Sequence, residues 1–224
     1  MIAKWLLQNT IWLAIFAALL LVPAGTLRWP AAWVFLGAMA LTSLVFALWL
    51  AKNDPQLFAE RMSSPIQAGQ PTADKTMIFA FGLCSLSWFV AMGFDQRLHP
   101  DRMPFAWHLL GVVLLIASSA FILWVFRENS FAAAVVKVQS ERGHRVVSTG
   151  PYALVRHPMY SGAALFMVGI ALLLGSWWGL ALSPFFAVLF AIRTRIEEAA
   201  LMTGLPGYAD YAARVRYRLV PGLW

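Results

Sequence analysis

The sequence predicts an all-α integral membrane protein with about six hydrophobic segments: four transmembrane helices and a C-terminal helical hairpin. Three observations carry this. Of 224 residues, 61% are hydrophobic and only 12% charged, against about 25% charged in an average soluble domain. Four apolar runs, each near the roughly 20 residues that a bilayer core demands, contain no Asp, Glu, Lys or Arg. A fifth uncharged run, residues 162–192, is too long for one crossing. Its 31 residues would make a helix of about 47 Å at 1.5 Å per residue, against a core of about 30 Å.

The first run, residues 5–24, ends at Pro23-Ala24-Gly25. It follows Lys4, but it is long and other spans follow it, so it reads as a span and not as a cleavable signal. The second, third and fourth runs are residues 29–50, 76–94 and 105–126. The middle of the fifth reads Gly175-Ser176-Trp177-Trp178-Gly179. Glycine punctuates helices and tryptophan favours the membrane interface, so a hairpin with arms of about 15–18 residues is expected, its tip near the far surface. Residues 51–75 form a polar connector with no more than a short helix. Residues 127–158 form a longer segment, and the tail, 193–224, is expected to be helical over 193–203 and 206–216. The chain thus divides into a four-helix region, residues 1–130, and a region with the hairpin, residues 131–224.

A net charge of +7 on a soluble protein would raise nucleic acid as a partner. Here no basic helix or interleaving of basic and aromatic residues supports that; the expected partner is the lipid bilayer. The basic residues sort by side. With six segments, 14 of the 17 lie with the two termini, and only Arg28, Arg97 and Arg102 lie opposite. That bias predicts both termini in the cytoplasm, and the compact chain suggests a bacterial inner membrane. The single cysteine, Cys84, sits in an apolar run; it allows no internal disulfide and no zinc site, and no metal is expected.

Polar and ionisable residues concentrate in two blocks, residues 138–162 and 193–198, which the hairpin returns to the same surface. In Arg156-His157-Pro158-Met159-Tyr160 the proline suits a first helical turn. His157 then starts a helix, with Tyr160 and Ser161 on its face. Such a helix N-terminus offers N–H groups to an anionic ligand group; the same pentapeptide also reads as a basic-aromatic membrane anchor. Arg193 and Glu197, four apart, read either as a surface ion pair or, with Glu198 at the edge of an uncharged region, as part of a site. Asp95 and Glu128 flank spans singly and read as solvated helix ends. His99 and His108 read as loop or interface residues.

The two blocks resemble the isoprenylcysteine carboxyl methyltransferase and phospholipid methyltransferase-like family of membrane methyltransferases. The shared pattern is Thr149-Gly150-x-Tyr152-x-x-x-Arg156-His157-Pro158-x-Tyr160-x-Gly162, a hydrophobic hairpin, Arg193-x-x-x-Glu197-Glu198, and a tail with Tyr208 and Tyr211. It covers about residues 137–224; the first 130 match in hydropathy only. Pro151 stands where the eukaryotic carboxyl methyltransferases have an aliphatic residue. The resemblance implies a cytoplasmic cofactor pocket for S-adenosylmethionine. Gln139, His144, Arg145, Val146, Val147, Tyr152, Arg156, His157, Pro158, Met159, Tyr160 and Glu197 would contact it. Arg193 falls on a substrate-contacting arginine, and Glu198 completes the acidic pair of the phospholipid branch.

Arg193, Glu197 and Glu198 are therefore the expected catalytic residues. A carboxylate acceptor is already ionised and needs only a cation to hold it, a task for Arg193. An amine acceptor needs a base, Glu197 or Glu198. The expected acceptor is a lipidic or prenylated small molecule or peptide, with carboxylate O-methylation of an isoprenylcysteine-like group favoured over N-methylation of a phospholipid amine. Two further alternatives are a nicotinamide-dependent sterol-type reductase, which typically has Asn where Met159 stands, and a non-enzymatic membrane subunit.

Overall fold

The computed structural model describes residues 2–67, 69–100 and 102–224. Its helices are α1 (Ile2–Ala24), α2 (Pro30–Asn53), α3 (Pro55–Arg61), α4 (Thr72–Leu98), α5 (Phe105–Glu128), α6 (Pro158–Leu173), α7 (Trp177–Gly204) and α8 (Tyr208–Arg214). No strand occurs among the described residues. Prolines open α2, α3 and α6, where a missing N–H costs nothing. Asp54 caps α3 by accepting from the Leu57 N–H at 2.9 Å. Residues 140–142 and 150–153 form single 3₁₀ turns in the segment between α5 and α6.

The four expected runs lie in α1, α2, α4 and α5, and the hairpin in α6 and α7. Five helices are long and apolar enough to cross a membrane; α6, with 16 residues, is the shorter apolar one. The chain is an all-α integral membrane protein. The hairpin arms are unequal, contrary to the expectation of two short arms. The 28 residues of α7 measure about 42 Å, so α7 outruns the core and carries residues 193–203 as its own continuation. Nothing between Ile192 and Gly204 breaks a helix; Gly204-Leu205-Pro206-Gly207 does. α8 starts at Tyr208, after Gly207 turns with φ 80°.

Helix α6 packs along α5, while α4 lies between α1 and α7. The α5–α6 contact is backbone to backbone. A Cβ on Gly111 would stand 2.3 Å from the Leu173 nitrogen, and one on Gly169 would stand 3.1 Å from the Leu115 nitrogen. Membrane helices approach this closely only through small residues. Gly111→Leu is expected to destabilise the protein by at least about 1–3 kcal/mol, read as a lowered thermal midpoint in detergent; an unchanged midpoint would mean the helices do not touch there.

The far end of the hairpin corrects the reading of Asp95. Asp95 is not a solvated helix end. It is buried, and its Oδ2 accepts from Ser176 Oγ at 2.7 Å and the Trp178 N–H at 3.0 Å, satisfying the open first turn of α7. His99 Nδ1 pairs with the other oxygen at 3.0 Å. His108 Nδ1 lies 2.8 Å from the Leu173 carbonyl, beside the left-handed Gly175 (φ 72°). At the opposite end, Glu128 accepts from Thr149 Oγ1 at 2.7 Å, and so fixes the turn that leads to the polar block.

Candidate active site

Helix α7 delivers Glu197 and Glu198 just beyond the apolar core, and the start of α6 delivers Arg156, His157 and Tyr160 to meet them. Glu198 accepts from Arg156 Nε at 2.6 Å, Arg218 Nε at 2.8 Å and His157 Nε2 at 3.3 Å. Glu197 accepts from the Tyr160 hydroxyl at 2.6 Å and stands 3.5 Å from His157 Nδ1. The His157 ring lies between the two carboxylates and stacks parallel on Tyr160, with centroids 5.8 Å apart.

Both ring nitrogens of His157 face a carboxylate oxygen, an arrangement that only an imidazolium satisfies with two donors. Burial works to lower its pKa, but the hydrogen bonds and charges of Glu197 and Glu198 outweigh this and raise it above 6.5. A raised folded-state value stabilises the protein fully below 6.5, and that share is lost as pH rises through the folded value. Thermal stability is therefore expected to fall on the alkaline side of 6.5, with a flatter profile in His157→Gln. A wild-type profile that is flat over this window would argue against a charged His157.

The tail closes over this cluster. The N–H groups of Arg156 and His157 donate to the carbonyls of Tyr217 and Arg218, both at 2.9 Å. Arg156 Nη1 donates to the carbonyls of Val215 at 2.8 Å, Arg216 at 3.0 Å and Ala212 at 3.3 Å. Ser161 Oγ donates to Leu219 O at 2.6 Å. The chain's own C-terminus thus pairs the two N–H groups that lead into α6. The basic-aromatic pentapeptide is a buried junction and not a surface anchor.

Arg193 and Glu197 do not form the ion pair that their spacing allows. Arg193 Nε pairs with Asp74 Oδ1 at 3.0 Å and its Nη2 donates to Ala134 O at 2.6 Å. Asp74 is fully buried and also accepts from Gln70 Nε2 at 2.7 Å and the Val136 N–H at 2.9 Å. This knot ties α7 and the start of α4 to the segment after α5.

Beside the cluster lies a cavity that is partly open to the surroundings. Ten of the twelve residues expected to hold a cofactor line it: His144, Arg145, Val146, Val147, Tyr152, Arg156, His157, Met159, Tyr160 and Glu197. The other two stand behind the wall. Gln139 is fully buried, donates to Phe131 O at 2.8 Å and accepts from Arg142; Pro158 only starts α6. Arg193 and Glu198 are not among the lining residues.

Sequence reasoning did not assign Asn129, Phe131, Lys137, Leu201, Tyr208 or Tyr211 to a site, yet all line the cavity. The paired tyrosines of the tail were the one available signal. Burial pushes the hydroxyls of Tyr152, Tyr208 and Tyr211 up, so they stay protonated as donors. Burial also lowers the pKa of His144, which stacks on Phe131 with centroids 4.5 Å apart. Tyr211 donates to Tyr152 O at 2.8 Å, and Asn129 Nδ2 to the Tyr152 hydroxyl at 2.8 Å. The Tyr208 hydroxyl is buried in the wall with no partner. Among the described residues, no group of three or more His, Cys, Asp or Glu could hold a metal ion.

Residues 106–205 match the family model for phospholipid methyltransferase. Over 81 residues the chain is 31% identical to the cobalt-zinc-cadmium resistance protein CzcN of Cupriavidus metallidurans, an alignment covering 34% of this chain and 36% of that protein. The chain thus spans about a third of the curated relative it matches. The fold is that of the eukaryotic intramembrane Ras methyltransferase ICMT (isoprenylcysteine carboxyl methyltransferase). The TM-score is 0.62 at 20% identity, over 96% of this chain and 75% of that one.

Proposed function

We propose that the protein is an S-adenosylmethionine-dependent membrane methyltransferase acting on a lipidic or prenylated acceptor, a reading supported by the match of residues 106–205 to the phospholipid methyltransferase family model and by the likeness of the fold to that of a carboxyl methyltransferase. The cavity beside His157, Tyr160 and Glu197 carries this reading. S-adenosylmethionine presents a carboxylate, an ammonium, a sulfonium and an adenine, and the wall offers a counterpart to each. Arg145 and the neutral His144 suit a carboxylate; Glu197 suits a cation; Phe131 and the tyrosines suit an aromatic base. The unpaired Tyr208 hydroxyl is a buried donor whose missing partner a ligand would supply.

When bound, the cofactor supplies a methyl carbon activated by its positive sulfur. The chain's own residues hold and orient the reactants and keep water out. Tyr160 and His157 fix the Glu197 carboxylate from two sides, so it meets a cation without reorganising. Glu198 is held by Arg156, Arg218 and His157, which fits a positioning role. Arg193, engaged by Asp74 and Ala134, is proposed to set the backbone of residues 134–136 along the cavity wall.

The favoured reaction is O-methylation of a prenylcysteine-like carboxylate. A carboxylate acceptor is already ionised at neutral pH, so it would accept the methyl group that the bound cofactor would supply without a general base from the chain. N-methylation of a phospholipid amine is the second reading, favoured by the family description; it needs a base, and Glu197 is the carboxylate lining the cavity. The basic end of the bundle, and with it the cavity and both termini, is proposed to face the cytoplasm of a bacterial inner membrane. Transfer of labelled methyl to a farnesyl-thioether carboxylate and to phosphatidylethanolamine tests the two readings side by side. Label in an alkali-labile ester supports the first, label in the phospholipid headgroup the second, and label in neither, with a bilayer-reconstituted protein, would refute both.

A further inference from the structure

A second cavity, open on one side, lies between α1, α2, α3, α5 and α6. Trp5, Met39, Phe46, Phe126 and Phe166 make its wall apolar, with Ser119 on α5 among the few polar exceptions. Along α2 it reaches from Met39 to Ala47, roughly 12 Å at 1.5 Å per residue. One charged residue lines it, Arg61, at the last turn of α3.

Arg61 has no carboxylate partner among the described residues. Its Nη1 donates to Ala132 O at 2.9 Å and lies 3.8 Å from Met159 Sδ, and its guanidinium sits over Phe126, 4.6 Å from the ring centroid. Ala132 and Met159 both line the first cavity. Arg61 therefore stands where the wall of the cofactor cavity meets an apolar cleft. An uncompensated cation beside hydrocarbon is costly and characteristically functional. Arg193, the cation expected to hold an acceptor, already has Asp74.

We propose that the cleft takes the hydrocarbon chain of an anionic amphiphile and that Arg61 binds its carboxylate head at the edge of the cofactor cavity, which makes Arg61 the residue selecting an acid over a neutral or cationic acceptor. This rests on the methyltransferase reading for its purpose, but the binding itself is measurable without turnover. The charge is complementary and the guanidinium can hold a carboxylate with two parallel hydrogen bonds. The arrangement also opposes an amine acceptor, whose ammonium would meet a like charge.

The test measures binding of a farnesyl-thioether carboxylate and of its carboxamide to the purified full chain by competition with a fluorescent fatty acid, with S-adenosylmethionine binding followed separately by calorimetry. The wild type is expected to prefer the acid by about tenfold or more. Arg61→Gln should abolish that preference by weakening the acid alone, Arg61→Lys should keep part of it, and Ser119→Trp should weaken acid and amide together by filling the cleft. Unchanged cofactor binding in these variants shows that they are folded. Equal binding of acid and amide by the wild type, the mark of a cleft filled by any neutral lipid, overturns the proposal, as does a preference that survives Arg61→Gln. Loss of cofactor binding in the wild type itself would instead strike the methyltransferase reading and leave the acid preference to be judged on its own numbers.

Discussion

Arg156→Ala is expected to destabilise the protein by about 3–5 kcal/mol, the usual cost of removing one member of a buried ion pair, and to free the C-terminal tail. Arg156 is almost fully buried and binds the Glu198 carboxylate and the carbonyls of residues 212, 215 and 216. Alanine would leave a buried carboxylate with fewer cations and several carbonyls unpaired, each a desolvation loss. Lysine should not rescue it, because one ammonium cannot reproduce the spread of a guanidinium across four acceptors. Thermal unfolding in detergent and limited proteolysis near residues 214–218 read the two effects. A tail that stays protected, with an unchanged midpoint, would mean that Arg156 does not fasten it.

Glu197→Gln is expected to weaken S-adenosylmethionine binding by about 10- to 150-fold, the equivalent of about 1.5–3 kcal/mol for a hydrogen bond to a charged group. The substitution keeps shape and an acceptor for the Tyr160 hydroxyl, 2.6 Å away, and removes the charge that faces both the cavity and His157. Methyl transfer should fall with it. Glu198→Gln should instead lower the thermal midpoint more than the cofactor affinity, because Glu198 serves Arg156, His157 and Arg218. Isothermal titration of both variants separates the roles; equal cofactor affinity in wild type and Glu197→Gln would remove Glu197 from the site.

The spans were readable because uncharged apolar runs of the required length have one stable home. The hairpin was readable from Gly175-Ser176-Trp177-Trp178-Gly179. The gathering of residues 144–160 with Glu197 was readable because the hairpin had to return one polar block to the other. What stayed hidden are pairings across long separations. Asp74 and Arg193 are 119 positions apart, and Asp95 and Ser176 are 81 apart; no local periodicity signals either. Gln139 looked like a ligand contact by position, but its side chain faces Phe131 O and Arg142 behind the cavity. Arg61 looked like one more basic loop residue, because only the packing of α3 against α5 reveals what it lacks.

The most direct measurement is calorimetric titration of S-adenosylmethionine into the detergent-purified wild type, with a reduced nicotinamide dinucleotide titrated in parallel. Saturable binding of S-adenosylmethionine at one site per chain, displaced by S-adenosylhomocysteine, and none of the nicotinamide, is the predicted result. Binding of the nicotinamide alone by folded protein would contradict it and point to reductase chemistry in the same cavity.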